Sequence, residues 1–175
     1  CKVLWQVDQM GAYSHLALDA ALKGTSLDER DRRFVTELVY GTLTWQRTLD
    51  RVLDRYVTKG LHALSRELVI PLRLALYQLL YLDRVPEHAV VHEAVEYAKH
   101  HVGRGGGLVN GVLRAILRDK AQLVLWRLEE RDTDPKRYLG QRYDLPGWLN
   151  KRLIARFGLD EAEALARAFA SRPPL

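Results

Sequence analysis

The sequence predicts an all-α protein, on three observations. Apolar residues recur at three- and four-residue intervals through nearly every segment, and no run alternates apolar with polar residues as a half-buried strand does. Start signals at Ser14, Ser26, Pro71, Pro86 and Asp134-Pro135, with stop signals at Gly11, Gly24 and Gly103, divide the chain into helix-sized lengths. A chain of 175 residues that is 47% hydrophobic can bury a sizeable core without disulfides.

The elements follow in order. A short helix is expected from Lys2 to Gln9, stopping before Gly11. Ser14 is expected to cap a second helix that runs to Lys23 and ends at Gly24. Ser26-Leu-Asp-Glu29 has capping-box spacing, the serine reaching forward and the glutamate back. From there Phe34, Leu38, Leu43, Leu49, Val52, Leu53 and Tyr56 mark one apolar face as far as Val57, with Gly41 placed for a bend or a close approach. Ile70-Pro71 is expected to open the most hydrophobic helix, since proline fits only the first turn. Its leucines on most sides predict a central, buried element. Pro86 starts a helix to about Val102 that turns Val90, Val91, Ala94, Val95 and Ala98 inward. Gly103-Arg-Gly-Gly-Gly107 reads as a turn, and a further helix is expected from Leu108 to about Leu125.

Composition shifts after Leu128. Glu129 to Asp134 reads as a polar linker, and short helices are expected over Pro146 to Phe157 and Glu161 to Ala170. Residues 1–128 are therefore expected to form one domain. Residues 129–175 are expected to form a helical linker region, too small for a strong core of its own, that begins a further portion.

Charge is unevenly spread. The formal net charge is +5, and arginine supplies 20 of the 27 basic residues. Residues 1–99 balance at 13 basic and 13 acidic side chains, whereas residues 100–157 carry 12 basic against 6 acidic. A localised excess of this kind is the footprint of a polyanion partner, with a solvated basic surface as the plain alternative. Arg104, Arg114, Arg118 and Lys120 gather most of it around one helix and are the candidate phosphate contacts. Arg47, Arg51 and Arg55 form a second stripe, which Asp50 and Asp54 are expected to neutralise within their own helix. Trp5, Trp45, Trp126 and Trp148, with Tyr40, Tyr77, Tyr81 and Tyr97, could stack on bases, but their spacing among leucines assigns most of them to the core.

No catalytic constellation emerges. His88, His92, Glu96 and His100 ladder one helix face, but their order differs from the metalloprotease motif, and no metal is expected. The glycine run lacks both the dinucleotide fingerprint and the Lys-Ser/Thr of a P-loop, so it is weak as a phosphate cradle. The single cysteine, Cys1, excludes a disulfide framework or cysteine zinc site. No apolar run approaches a membrane span and no secretory pattern opens the chain, so a cytoplasmic protein without a membrane partner is expected.

Three stretches together resemble the NusB family: Leu72-Arg-Leu-Ala-Leu-Tyr-Gln-Leu-Leu80, Val85-Pro-Glu-His-Ala-Val-Val-His-Glu-Ala-Val-Glu-Tyr-Ala-Lys99, and Leu108-Val-Asn-Gly-Val-Leu-Arg114. That resemblance implies an all-α, RNA-binding helical bundle. Ala12-Tyr-Ser-His-Leu-Ala-Leu18 and Leu38-Val-Tyr-Gly-Thr-Leu43 resemble more closely the NusB-like N-terminal domain of bacterial small-subunit ribosomal RNA cytosine-C5 methyltransferases of the Sun/Fmu type. Tyr143-Asp-Leu-Pro-Gly-Trp-Leu149 and Arg172-Pro-Pro-Leu175 look like the connection those enzymes carry into their catalytic half.

The resemblance implies ribosomal RNA and the catalytic domain of the same polypeptide as partners. It implies S-adenosylmethionine as a cofactor of the parent only, because these residues hold neither a cysteine pair nor a strand-glycine-helix unit. The chain itself is expected to be a non-catalytic, RNA-binding accessory domain. Asn110 and Gly111 match the family motif and are expected to fix a cap or helix packing. A protein-docking module and a free-standing antitermination factor are the alternatives.

Overall fold

A computed structural model describes residues 1–120, 131 and 133–170. The chain divides into two compact units, Cys1–Ile116 and Leu117–Leu175. Every regular element among the described residues is helical, as the periodicity predicts. The expected domain boundary after Leu128, and the expected last turn of the helix reaching Leu125, lie outside the described residues.

The first unit contains α1 (Lys2–Met10), α2 (Ser14–Leu22), α3 (Glu29–Thr44), α4 (Gln46–Tyr56), a 3-10 turn at Leu61–Ala63, α5 (Arg66–Tyr81), α6 (Glu87–Val102) and, as far as Ile116, α7 (Gly105–Arg118), whose last two residues fall in the second. Two start signals act one or two residues from where the sequence puts them. Tyr13 is the N-cap of α2 and Ser14 its first helical residue. Asp28, rather than Ser26, caps α3: its carboxylate accepts the Asp31 N–H at 2.8 Å. An ionised oxygen is the stronger acceptor for a helix N-terminus and also suits its dipole.

The apolar face read continuously to Val57 is broken at Trp45, which ends α3 and starts α4 with φ −97° and ψ 11°. At this bend the Trp45 ring stacks on Tyr81 at 4.9 Å, and Tyr81 stacks in turn on Tyr77 at 5.3 Å. Phe34 faces outward and Val39 takes a core position. Gly41 makes a close approach: a Cβ there would lie 2.0 Å from the Tyr77 ring.

α5 is the central helix, with ten of its sixteen residues buried and contacts to α1, α3, α4 and α6. It starts at Arg66, so Pro71 sits inside the helix, where the sequence reading allows none. An interior proline costs about 3 kcal/mol. The added turn buries Leu68, Val69 and Ile70. At roughly 1.5–3 kcal/mol for each such side chain, that burial outweighs the proline.

Arg73 is the polar exception on this helix, buried and ion-paired to Asp50 of α4 and Asp8 of α1. Asp50 is thus used between helices and Asp54 accepts the Leu61 N–H at 2.7 Å, so neither acid is confined to neutralising its own helix's arginines as expected.

The glycine run is also reassigned. Gly103, with φ 63°, ends α6, but Gly105 to Gly107 already belong to α7. A Cβ on Gly105 would lie 2.5 Å from Leu68 of α5, and one on Gly106 would lie 2.7 Å from Lys99 of α6. These two glycines therefore serve close helix packing, and they are buried.

The second unit contains α8 (Pro135–Tyr143) and α9 (Gly147–Ala170). Asp134 caps α8 by accepting the Arg137 N–H, with Pro135 in its first turn as expected. Gly158 (φ 76°, ψ 174°) interrupts α9 and separates the two helical lengths that the sequence predicts.

This unit has a small core of its own. Leu139, Ala162 and Ala166 are fully buried, with Tyr138, Tyr143 and Leu153 around them. Half of that core comes from α8, which supplies the apolar surface that two short helices alone would lack. Glu163 ties it together. Its carboxylate accepts the hydroxyls of Tyr138 at 2.7 Å and Tyr143 at 2.9 Å, and pairs with Arg131 at 3.0 Å.

Candidate nucleic-acid interface

α7 sorts its residues sharply. Val109, Val112, Leu113 and Ile116 are buried, while Arg104, Gly107, Leu108, Gly111, Arg114 and Arg118 are exposed. The intervals from Gly107 to Gly111, Arg114 and Arg118 are four, three and four residues, so these positions share one helix face, with Arg104 just before it. At 1.5 Å per residue, Arg104 and Arg114 stand about 15 Å apart along the axis.

The cations differ in their freedom. Arg114 Nε donates to Asn110 Oδ1 at 2.9 Å, which holds the guanidinium flat along the helix without neutralising it. Arg118 lies 3.5 Å from Asp119, an exposed pair worth little. Lys120 is half-buried, lies past the end of α7, and is not without a partner. Arg104 and Arg114 belong to the first unit, whereas Arg118 and Lys120 fall in the second, so the four do not assemble within one unit. Gly111 is exposed and a Cβ there would meet nothing within 4 Å. Close packing among the described residues therefore does not account for this glycine. Its bareness, like that of Gly107, leaves the helix surface low between the arginines.

The other constellations separate from this face. A groove of about 490 Å³ runs between α5 and α6, walled by Leu74, Gln78, Glu93, Tyr97, His100 and His101. Its rim is acidic and imidazole-bearing, which does not suit a polyanion. His101 stacks on Tyr97 at 3.9 Å, and no group of three metal-ligating side chains occurs among the described residues. Nor do those residues fit S-adenosylmethionine. They contain no strand, and two of the three consecutive glycines are buried against α5 and α6.

A feature the sequence reading missed lies on α9. Trp148, grouped there with core aromatics, is 66% exposed. Lys151, Arg152 and Arg156 follow it on exposed positions. The signal available in the sequence was the stretch from 145 to 159, which has three cations and no acid. Of the other aromatics, Tyr77 is buried, Trp5 and Tyr40 are about two-fifths exposed, and Trp126 lies outside the described residues.

Comparison with known proteins settles the lineage. The NusB family profile matches residues 1–118. The chain belongs to the NusB family. The motifs that carried the resemblance fall on α5, α6 and α7 of this NusB fold. The chain is also similar to the probable ribosomal RNA small subunit methyltransferase B of Bacillus subtilis, at 36% identity over 95% of this chain and 36% of that protein. A Synechocystis protein of the same name is 34% identical over 99% of this chain and 38% of its own length. The ribosomal RNA small subunit methyltransferase B of Pseudomonas putida is 35% identical over 85% of this chain and 32% of its own. The chain thus spans about a third of the length of these relatives. No described helix is long and apolar enough to cross a membrane.

Proposed function

We propose that this chain is the RNA-binding accessory part of a ribosomal RNA methyltransferase acting on cytosine C5. In this reading it holds ribosomal RNA in the cytoplasm for a catalytic domain on the same polypeptide, where S-adenosylmethionine binds. Arg104, Arg114, Arg118 and Lys120 are the phosphate contacts, and these residues perform no catalysis themselves. The observation that carries this reading is the exposed face of α7, where arginines flank two bare glycines so that a sugar-phosphate strand can approach the helix closely. The similarity to methyltransferases runs on past the NusB match into the second unit, which favours this parent over a free-standing antitermination factor.

Binding of the 175-residue chain to a ribosomal RNA fragment, measured against salt, tests it. Each phosphate contact on a single strand contributes about −0.7 to the log–log slope. Changing Arg104, Arg114 and Arg118 to alanine should flatten the slope by roughly 2 and weaken binding at low salt. A slope that stays at the wild-type value removes the assigned surface. Salt-insensitive, weak RNA binding with tight binding to a catalytic half favours the docking reading instead.

A further inference from the structure

We infer that the first half of α9 is a second RNA contact, in which Trp148 stacks on an unpaired base while Lys151, Arg152 and Lys136 hold the flanking phosphates. This rests on the reading of the chain as RNA-directed, but it uses a different unit and different residues from the α7 face.

Trp148 is the starting point. Leu149 and Leu153 turn into the core of the second unit, and the helical period then sends Trp148 outward. Its indole stacks on no other ring among the described residues and is 66% exposed, so a base can reach it. A single exposed ring does not by itself mark a binding surface; the charge around this one does. An exposed indole accepts any base, because every base offers a π-face, but only an unpaired one can reach it.

The surrounding charge selects the partner. Lys151 and Arg152 lie three and four residues after Trp148, on the same side of the helix. Arg156 follows one turn after Arg152 and lies over the Phe157 ring at 5.4 Å. Lys136 comes in from α8: its Cε would lie 3.5 Å from a Cβ on Gly147, beside Trp148. Asn150 fixes that approach by donating to the Lys136 carbonyl at 3.2 Å and the Leu145 carbonyl at 3.3 Å. None of these four cations has a carboxylate partner among the described residues. Arg131 and Arg142 of the same unit are both satisfied by Glu163. One aromatic plate amid unneutralised cations suits a single-stranded polyanion with bases to stack.

The test is binding of the full 175-residue chain to a fluorescein-labelled, unstructured RNA oligonucleotide, followed by anisotropy across a salt series. Trp148→Ala should weaken binding about five- to hundredfold, and Trp148→Phe should restore most of it because a stacking ring remains. Lys151→Gln with Arg152→Gln should flatten the salt slope by about 1.4. Both positions are exposed and have no carboxylate partner among the described residues, so this second variant keeps its fold whatever Trp148→Ala does. Wild-type affinity in Trp148→Ala, or a wild-type slope in the double glutamine variant, overturns the inference and leaves this face to a protein partner. If losses occur only when Arg104, Arg114 and Arg118 are changed, the proposed function stands and this site falls. If the unaltered chain binds no RNA, both fall.

Discussion

Arg73 grips Asp50 through two parallel bonds, Nε to Oδ1 at 2.6 Å and Nη2 to Oδ2 at 2.9 Å, while its Nη1 donates to Asp8 at 3.0 Å. One guanidinium thereby joins three helices, α5, α4 and α1. Its side chain is only 6% exposed and that of Asp8 12%, whereas Asp50 keeps 31%, so Asp8 above all has little water to fall back on if the arginine is removed. Arg73→Ala should cost about 3–5 kcal/mol, the usual loss when one member of a buried pair is left alone. Urea unfolding measures this. A change below about 1 kcal/mol would mean that water replaces the arginine without penalty.

Acid should weaken both units by the same route. Burial pushes the Asp8 carboxyl up, but hydrogen bonds from Gln9 and Arg73 and the charges of Arg73 and Arg66 prevail and hold it below the ordinary range. Burial likewise opposes ionisation of Glu163, and Tyr138, Arg131 and Tyr143 more than reverse it. A carboxyl depressed in the folded state stabilises fully above its unfolded value of about 4 and loses that contribution as pH falls below it. Melting temperature should therefore drop steeply below about pH 4, and Asp8→Asn should flatten the drop.

Alkali acts on Tyr138. Burial, and then its bond to the charged Glu163, push the phenol up to about 12. A group raised in the folded state stabilises below its unfolded pKa, near 10, and stops doing so between there and its folded value. Phenolate absorbance should show late tyrosine ionisation that coincides with loss of helix. Tyr138→Phe should remove one tyrosine from the late component, leaving Tyr77 and Tyr97, which burial also pushes up, and should cost about 1 kcal/mol.

Two glycines should respond in opposite ways to alanine. At Gly41 the new methyl would strike the Tyr77 ring, which donates its hydroxyl to Glu37, and overpacking of this sort costs about 1–3 kcal/mol. At Gly111 there is open space, so the better helix former should stabilise the fold by up to about 1 kcal/mol. If strand approach to α7 needs a bare surface, Gly111→Ala should at the same time weaken RNA binding. Calorimetry and anisotropy on the same variants separate the two effects.

The helices, their order and the central place of α5 were legible because burial follows a 3.6-residue period that sequence preserves. What was not legible depended on distant partners. Pro71 looked like a helix start because the burial that carries the helix back to Arg66 involves neighbours far along the chain. Gly105 and Gly106 looked like a turn because nothing local says that Leu68 and Lys99 press against them. The arginines of α7 were found from local charge density. Trp148 was not, because helical spacing among leucines describes a core tryptophan and an outward one equally well.

Gly158 has an effect beyond geometry. In an unbroken helix Arg156 and Asp160, four residues apart, would be placed to cancel one another. The left-handed backbone at Gly158 severs that register, and Asp160 turns to Arg131 instead. The acids at 160, 161 and 163 are thereby partitioned from the cations at 151, 152 and 156. One missing side chain lets a short stretch of polypeptide carry two opposite electrostatic characters without their annulling each other.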